Sequence, residues 1–212
     1  SLYSAYRKVV ASVENHGGQS ASASTDPWWG DNEIDLDVFV ADIRRLADNV
    51  LIGGTKEKPL VYGFKEIRYP WVTKNGDLEG YLSFLRKLYP RSCFIFNYRN
   101  LDEVFRSGWW PGRDAGEKEE GRRLIAEFES AAGSIASQHG DYCFEITYRD
   151  ICSMSPRVEE MFNFLGVPFI QEDVTRVLSK RHSYDNRPEG DGWDEAVPFS
   201  MLKRILGWFH KG

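Results

Sequence analysis

The chain has 212 residues, of which 42% are hydrophobic and 28% are charged, and its formal net charge is −5 at pH 7. This length allows one well-packed core, so we expect a single domain over residues 1–212. With a net negative charge, the chain shows no excess of basic residues of the kind that binds nucleic acid or an anionic membrane. No apolar run is long enough to predict a transmembrane segment.

Hydrophobic spacing predicts helices and strands that alternate through the first part of the chain. Apolar residues at helical spacing predict the longest of these helices, and Pro90 ends the last one. In chain order we predict a helix at residues 2–8, a valine-rich strand at 9–13 with a loop from Glu14, a helix at 35–50, a strand at 60–64 and a helix at 77–89.

The alternation continues after Pro90 and predicts the fold class. Strands are expected at residues 93–96 and 142–147, with a helix at 119–138 between them. Ser155 and Pro156 have the pattern of a helix start, and a closing helix is predicted at residues 201–209. This order predicts an α/β fold, a three-layer arrangement of a parallel sheet with helices on both faces.

One predicted strand end has the features of an anion site. Arg99 follows the strand at 93–96, and Asn100 precedes Glu103 at the spacing of a helix cap. Ligands bind at the carboxyl ends of strands in such sheets, and anions are favoured at helix N-termini. Ser107, eight residues after Arg99, adds a hydroxyl donor for a phosphate. The alternative is a surface salt bridge at Arg99 and a helix end at Ser107.

At these residues the chain resembles the sulfotransferases that use 3′-phosphoadenosine-5′-phosphosulfate (PAPS). Residues 63–69 (GFKEIRY) resemble the strand-end lysine motif of the bacterial and carbohydrate members. Residues 148–151 (YRDI) resemble the family's Tyr-Glu-Asp-Leu motif, and residues 164–169 (FLGVPF) resemble a helix ending of the family. The order and intervals of the motifs fit over residues 60–169. The resemblance implies a P-loop-NTPase-like sulfotransferase fold.

The resemblance also implies how the nucleotide is held, with PAPS as the co-substrate and adenosine 3′,5′-bisphosphate (PAP) as the product. Arg99 and Ser107 are expected to bind the 3′-phosphate, and Tyr148 to contact the adenine. Arg181 lies where a late nucleotide-contacting loop of the family falls. For Tyr148 the alternative is packing at the sheet edge.

Sulfuryl transfer needs a base for the acceptor proton, a cation for the leaving phosphate and a clamp on the nucleotide. Glu14 is the first choice for the base, because Val13-Glu14-Asn15 resembles a Gly-Glu-Asn segment of related bacterial sequences and the tyrosylprotein sulfotransferases use a glutamate there. Glu66 is the second choice and His16 the third. Lys65 is the expected cation. The alternative for each is an ordinary surface side chain.

The acceptor is predicted only as a class. Arg68 is expected to hold an acidic or sulfated acceptor, unless it bridges to an acidic neighbour. Trp109 and Trp110 are expected to stack on sugar rings or on the adenine, unless the two rings cover the core edge. A carbohydrate or glycoconjugate is favoured, while tyrosine, a lipid-linked sugar and a small phenol stay open. No metal is expected, because the reaction needs none and the histidines form no ligand cluster.

The sequence departs from the family most seriously at its start. The first strand and the 5′-phosphosulfate loop (PxxGTT or RSGTT) are absent, and no GxxxxGK[ST] loop replaces them. We therefore expect a segment with that loop to precede Ser1. Rival hypotheses are a non-catalytic nucleotide-binding relative, a P-loop kinase using ATP and Mg²⁺, and a purely structural α/β module.

The three cysteines, Cys93, Cys143 and Cys152, form no CxxC pair and are predicted to be buried thiols. This favours a reducing compartment, the cytoplasm, with the Golgi lumen as the alternative for a eukaryotic source.

Overall fold

The computed structural model describes residues 2–17, 24–26, 28–53, 61–66, 69–73, 77–108 and 110–179. Over these residues the chain is mixed α/β and mostly helical, with one two-stranded parallel sheet. Within them, no helix combines the length and apolar composition that a membrane span requires. The elements are α1 (Leu2–His16), α2 (Leu36–Leu51), α3 (Tyr69–Thr73), α4 (Leu78–Leu88), β1 (Phe94–Tyr98), α5 (Leu101–Phe105), α6 (Ala115–Gln138), β2 (Cys143–Thr147), α7 (Tyr148–Ser153), α8 (Pro156–Phe164) and α9 (Gln171–Leu178), with 3₁₀ helices at Asp31–Glu33 and Trp110–Gly112.

The described residues fall into two compact units, and each is treated separately below. The first contains residues up to 65 and residues 80–91, and the second contains residues 66–79 and those from 92 onward. The expectation of a single domain stays a prediction. The helix predicted at residues 201–209 lies outside the described residues.

In the first unit, α1 corrects the prediction for the start of the chain. It runs unbroken from Leu2 to His16, so residues 9–13 are helical and do not form a strand. The rings of Tyr3 and Tyr6 lie three residues apart on α1 and pack on Phe84 of α4, at centroid distances of 5.3 and 4.7 Å. In the segment predicted as a strand, the hydroxyl of Ser12 donates to Asp31 Oδ2 at 2.7 Å, so tertiary contacts of the helix outweigh the strand preference of the valines. Glu14 therefore lies in the last turn of a helix and not in a loop after a strand.

The helix predicted at residues 35–50 is confirmed as α2. Its start is fixed by Asp35, whose Oδ1 accepts hydrogen bonds from the backbone N–H groups of Asp37 and Val38 at 2.9 and 3.1 Å. This side chain satisfies two of the donors that a helix N-terminus leaves without a partner. Ile43 is buried on the inner face of α2.

Asp48, near the end of α2, joins three segments of the first unit. Its Oδ1 accepts hydrogen bonds from the hydroxyl of Tyr62 at 3.0 Å and from that of Tyr89 at 2.8 Å. Residues 61–64 are the described part of the strand predicted at 60–64, and they form neither helix nor strand. Tyr62 ties this segment to α2 through its side chain instead of through a backbone ladder.

The second unit contains the sheet. β1 and β2 pair in parallel, with Phe94 opposite Cys143, Phe96 opposite Glu145 and Tyr98 opposite Thr147. The strands predicted at 93–96 and 142–147 are thereby confirmed, with shifted ends. In the described residues the sheet has these two strands.

Both faces of this sheet are covered by helices. Phe96 meets Phe128 of α6 with ring centroids 6.0 Å apart, whereas Phe144 meets Phe164 of α8 at 5.3 Å. Successive strand residues point to opposite faces, so α6 lies on the face of Phe96 and α8 on the face of Phe144.

A capping box marks the start of α6, and a proline at the first helical position marks the start of α8. α6 begins at Ala115, four residues earlier than the predicted start at 119, because Asp114 and Glu117 form a reciprocal capping box. α8 begins at Pro156 as predicted. The chain turns after it at Gly166, whose φ of 66° lies in the left-handed region that glycine favours.

The prediction that all three cysteines are buried is wrong for two of them. Cys143 is buried at the start of β2, whereas Cys93 and Cys152 are exposed. Cys93 precedes β1 by one residue, and Cys152 lies on α7, which has no buried residue. None of the three is in a disulfide.

Candidate functional site

The first part of the site is the turn from β1 into α5. The Oδ1 atom of Asn100 accepts hydrogen bonds from the backbone N–H groups of Asp102 and Glu103, at 3.0 and 3.3 Å. This confirms the predicted cap. α5 has only five residues and ends at Phe105. Arg99 thus occupies a short, well-defined turn between the end of β1 and the capped start of α5.

The second part is the matching turn from β2 into α7. Thr147 Oγ1 accepts the backbone N–H of Asp150 at 3.1 Å, and Asp150 Oδ2 accepts the backbone N–H of Thr147 at 3.1 Å. Asp150 Oδ1 also accepts the hydroxyl of Ser155 at 2.9 Å. The hydroxyl of Thr147 also donates to Asp150 Oδ2. This bond first, then those from Ser155 and the backbone N–H of Thr147, lowers the pKa of Asp150. Tyr148 is therefore held as the first residue of α7, whose start is fixed by the reciprocal cap of Thr147 and Asp150.

These two turns bring Arg99 and Tyr148 together. Tyr98 and Thr147 are opposite each other in the parallel register, so the residues that follow them leave the sheet at the same edge. The guanidinium carbon of Arg99 lies 4.4 Å from the centroid of the Tyr148 ring, which is cation–π distance. The exposed fraction is 35% for the Arg99 side chain and 40% for Tyr148. Two predicted nucleotide contacts thus form one partly accessible pair.

Each member of this pair has a further partner. Arg99 Nε lies 3.2 Å from Glu103 Oε2, which is the surface salt bridge given as its alternative role. The pKa of Tyr148 is raised, first by the side chain of Cys152 near its hydroxyl, while the positive charge of Arg99 acts in the opposite direction. The site therefore combines a guanidinium, an aromatic ring, a carboxylate and a thiol.

Ser107 lies beyond the end of α5. Its hydroxyl is half-buried and donates to the carbonyl oxygen of Val104 at 3.0 Å. The same carbonyl accepts the backbone N–H of Ser107, also at 3.0 Å. Binding of a phosphate by Ser107 requires its hydroxyl to give up the bond to Val104.

Trp110 is packed against helices. Its ring centroid lies 4.4 Å from that of Phe105. Gly121 of α6 lies beneath the ring, so closely that a Cβ atom there would stand 2.3 Å from Cη2 of Trp110. For Trp110, this is the arrangement of the alternative in which the ring covers the core edge.

The candidates for the base and the cation are distributed over the two units. Glu14 and Lys65 are exposed side chains of the first unit, and Glu66 is half-buried in the second. The ring of His16 stacks on that of Trp28, with centroids 3.5 Å apart and planes 5° apart. Three further predicted site residues lie outside the described residues: Arg68, Trp109 and Arg181.

The structure adds a polar pair that the sequence interpretation missed. The hydroxyl of Tyr98 donates to Glu145 Oε1 at 2.7 Å, between the two strands. Burial, followed by the bond to Glu145, raises the pKa of Tyr98. Burial also raises the pKa of Glu129 on α6. The available signal was a carboxylate within the otherwise apolar strand of residues 143–146, on a sheet whose faces were expected to be covered.

In the part of the chain that the structure describes, no three His, Cys, Asp or Glu side chains are grouped so as to hold a metal ion. Comparison of the chain with family models, with curated proteins and with solved structures gave no match.

Proposed function

We propose that the chain belongs to a PAPS-dependent sulfotransferase that transfers the sulfuryl group to a hydroxyl or amine, with a carbohydrate or glycoconjugate as the favoured acceptor. The observation that carries the proposal is the pair of Arg99 and Tyr148 at the carboxyl ends of two parallel strands. This is the edge at which open α/β sheets bind ligands. The proposal includes a larger parallel sheet in a three-layer, P-loop-like fold.

The chemistry of the pair suits a nucleotide that carries a 3′-phosphate. A guanidinium has five N–H donors, and Glu103 is bonded to the Nε edge of Arg99 at 3.2 Å, so the side chain has further donors for a phosphate. Tyr148 offers an aromatic surface to the adenine. Ser107 adds a hydroxyl once its bond to Val104 is exchanged. Arg181 is proposed as a further nucleotide contact.

The remaining residues keep the roles that the resemblance implies. In the transfer, the bond from sulfur to the 5′-phosphate oxygen breaks and a bond from sulfur to the acceptor atom forms. The acceptor proton passes to a carboxylate, for which Glu14 is the first choice and Glu66 the second. Lys65 stabilises the negative charge that grows on the leaving phosphate, which leaves as part of PAP.

For the acceptor, we propose contacts with Arg68 and Trp109. The packing of Trp110 against Phe105 and α6 gives that ring a structural role in this proposal.

Calorimetric titration of PAP, with 5′-AMP as the comparison ligand, tests the nucleotide half of the proposal. We expect micromolar binding of PAP and weaker binding of 5′-AMP, which lacks the 3′-phosphate. Arg99→Ala should remove this preference, because losing one charge-assisted contact costs about 2–5 kcal/mol. Arg113→Ala is the matched control, since Arg113 forms an ion pair of the same spacing with Glu117, at 3.1 Å.

Equal affinity for PAP and 5′-AMP would contradict the proposal. PAP binding without sulfuryl transfer from PAPS to any acceptor would favour the non-catalytic alternative. Binding of ATP that depends on Mg²⁺ would favour the kinase.

A further inference from the structure

The covered face of the sheet contains a carboxylate where an apolar side chain is the ordinary choice. In the parallel register, Phe96 stands opposite Glu145, and Phe96 packs on Phe128 of α6. Glu145 therefore faces the helix that covers the sheet. A half-buried carboxylate in such a place costs free energy unless it is hydrogen-bonded. The hydroxyl of Tyr98 supplies that bond at 2.7 Å.

The carboxylate of Glu145 lies close to α6. Its Oε1 atom is 3.5 Å from the position that a Cβ on Gly133 would occupy. Glu129, one helical turn before Gly133, contributes to the raised pKa of Tyr98 through its charge. The hydrogen bond between Tyr98 and Glu145 thus lies in a partly dehydrated space, where such bonds are electrostatically stronger than in water.

This bond joins the two strands just before the positions of Arg99 and Tyr148. Tyr98 is the last residue of β1, and Arg99 follows it. Glu145 lies two residues before Thr147, the residue that caps α7 and precedes Tyr148. A single side-chain bond therefore spans both strands where each leads into a turn of the candidate site.

We propose that Glu145 and Tyr98 are positioning residues whose hydrogen bond fixes the carboxyl ends of β1 and β2, so that Arg99 stays over Tyr148 in the geometry that binds a 3′-phosphate. This inference rests on the proposed function. It assigns Glu145 no contact with the nucleotide, and its effect reaches the ligand through the two strand ends, at Arg99 and Tyr148.

The test uses the ratio of the dissociation constants of 5′-AMP and PAP, because general loss of structure weakens the binding of both ligands. Displacement of Arg99, in contrast, weakens the contact with the 3′-phosphate, which only PAP carries. Tyr98→Phe removes one hydroxyl and should lower the ratio about fivefold, the worth of one hydrogen bond. Glu145→Gln keeps an acceptor oxygen and should retain most of the ratio, whereas Glu145→Leu should lose it.

Tyr89→Phe is the matched control. Tyr89 also donates from a phenol to a carboxylate, that of Asp48 at 2.8 Å, in the other compact unit. This variant should lose stability in urea and keep the ratio of the wild type.

Hydrogen exchange provides a second measurement that needs no ligand. In Tyr98→Phe, the backbone amides of residues 99–101 and 148–150 should exchange faster than in the wild type, and in Tyr89→Phe they should not. If Glu145→Leu fails to fold, hydrogen exchange in Tyr98→Phe still tests the positioning role.

The outcomes separate the two proposals. A ratio near one in the wild type contradicts the proposed function and this inference with it. A large ratio in the wild type that Tyr98→Phe leaves unchanged, with unchanged exchange at both turns, overturns the positioning role alone.

Discussion

Replacing Gly121 by alanine tests how closely the ring of Trp110 packs on α6. The new Cβ would stand 2.3 Å from Cη2 and 2.8 Å from Cζ3 of Trp110, and 3.1 Å from Cζ of Phe105. Carbon atoms in favourable contact are about 3.5–4.0 Å apart, so the ring must move by more than about 1 Å.

The expected free energy follows from two opposing effects. Alanine gains about 1 kcal/mol over glycine within a helix. Overpacking costs about 1–3 kcal/mol, and loosening the contact of Trp110 with Phe105 adds up to about 1 kcal/mol. We therefore expect Gly121→Ala to lower the free energy of unfolding by about 2 kcal/mol.

Gly133→Ala is the control on the same helix. Its Cβ would lie 3.5 Å from Glu145 Oε1, which is an ordinary contact. This variant should be stabilised by up to about 1 kcal/mol, leaving a gap of about 3 kcal/mol between the two variants. Urea unfolding followed by circular dichroism and tryptophan fluorescence measures both. If Gly121→Ala is as stable as Gly133→Ala, the packing argument for Trp110 is refuted.

Three further predictions concern single side chains. Asn100→Ala should destabilise the protein by about 1 kcal/mol in urea, through loss of the cap of α5, and an unchanged midpoint would contradict that role. Asp48→Leu should cost about 2 kcal/mol or more, because the hydroxyls of Tyr62 and Tyr89 lose their acceptor. Asp42→Ala, which removes an exposed carboxylate of α2, is the control. If it lowers the free energy of unfolding as much as Asp48→Leu does, the bonds to Asp48 contribute nothing. For Glu129, burial raises the pKa above its ordinary value of 4.5. At this carboxyl the folded state therefore binds more protons than the unfolded state just above that value, and the contribution of Glu129 to stability falls as the pH rises through this window. Glu129→Gln removes this dependence, so its Tm should rise relative to that of the wild type between about pH 4.5 and neutrality, and a Tm difference that is constant with pH would count against the burial of this carboxyl.

Local signals in the sequence predicted the elements that build the site. The cap at Asn100 and the helix start at Pro156 depend on residues within one turn of each other, and both are confirmed. The reciprocal cap of Thr147 and Asp150 has the same short-range form and was readable at its spacing of three.

The prediction failed where distant packing decides the local structure. Residues 9–13 contain three valines, which favour a strand, but the segment continues α1, and within it the hydroxyl of Ser12 donates to Asp31 Oδ2 at 2.7 Å. That contact joins residues far apart in the chain, and no short window contains it.

The same limit applies to the geometry of the site. Arg99 and Tyr148 were found through separate motifs, but their contact depends on the register that places Tyr98 opposite Thr147. The bond between Tyr98 and Glu145 depends on the same register. Whether the Trp110 ring points outward or inward depends on a glycine on the next helix.

Because the three cysteines differ in exposure, the rate of thiol alkylation can report how often the sheet opens. Cys143 is buried and stands opposite Phe94, whereas Cys93 and Cys152 are exposed. An alkylating reagent should modify the two exposed thiols in the native protein and reach Cys143 only when β2 becomes exposed. In a protein with serine at positions 93 and 152, the rate of alkylation would therefore measure how often the strand opens under native conditions.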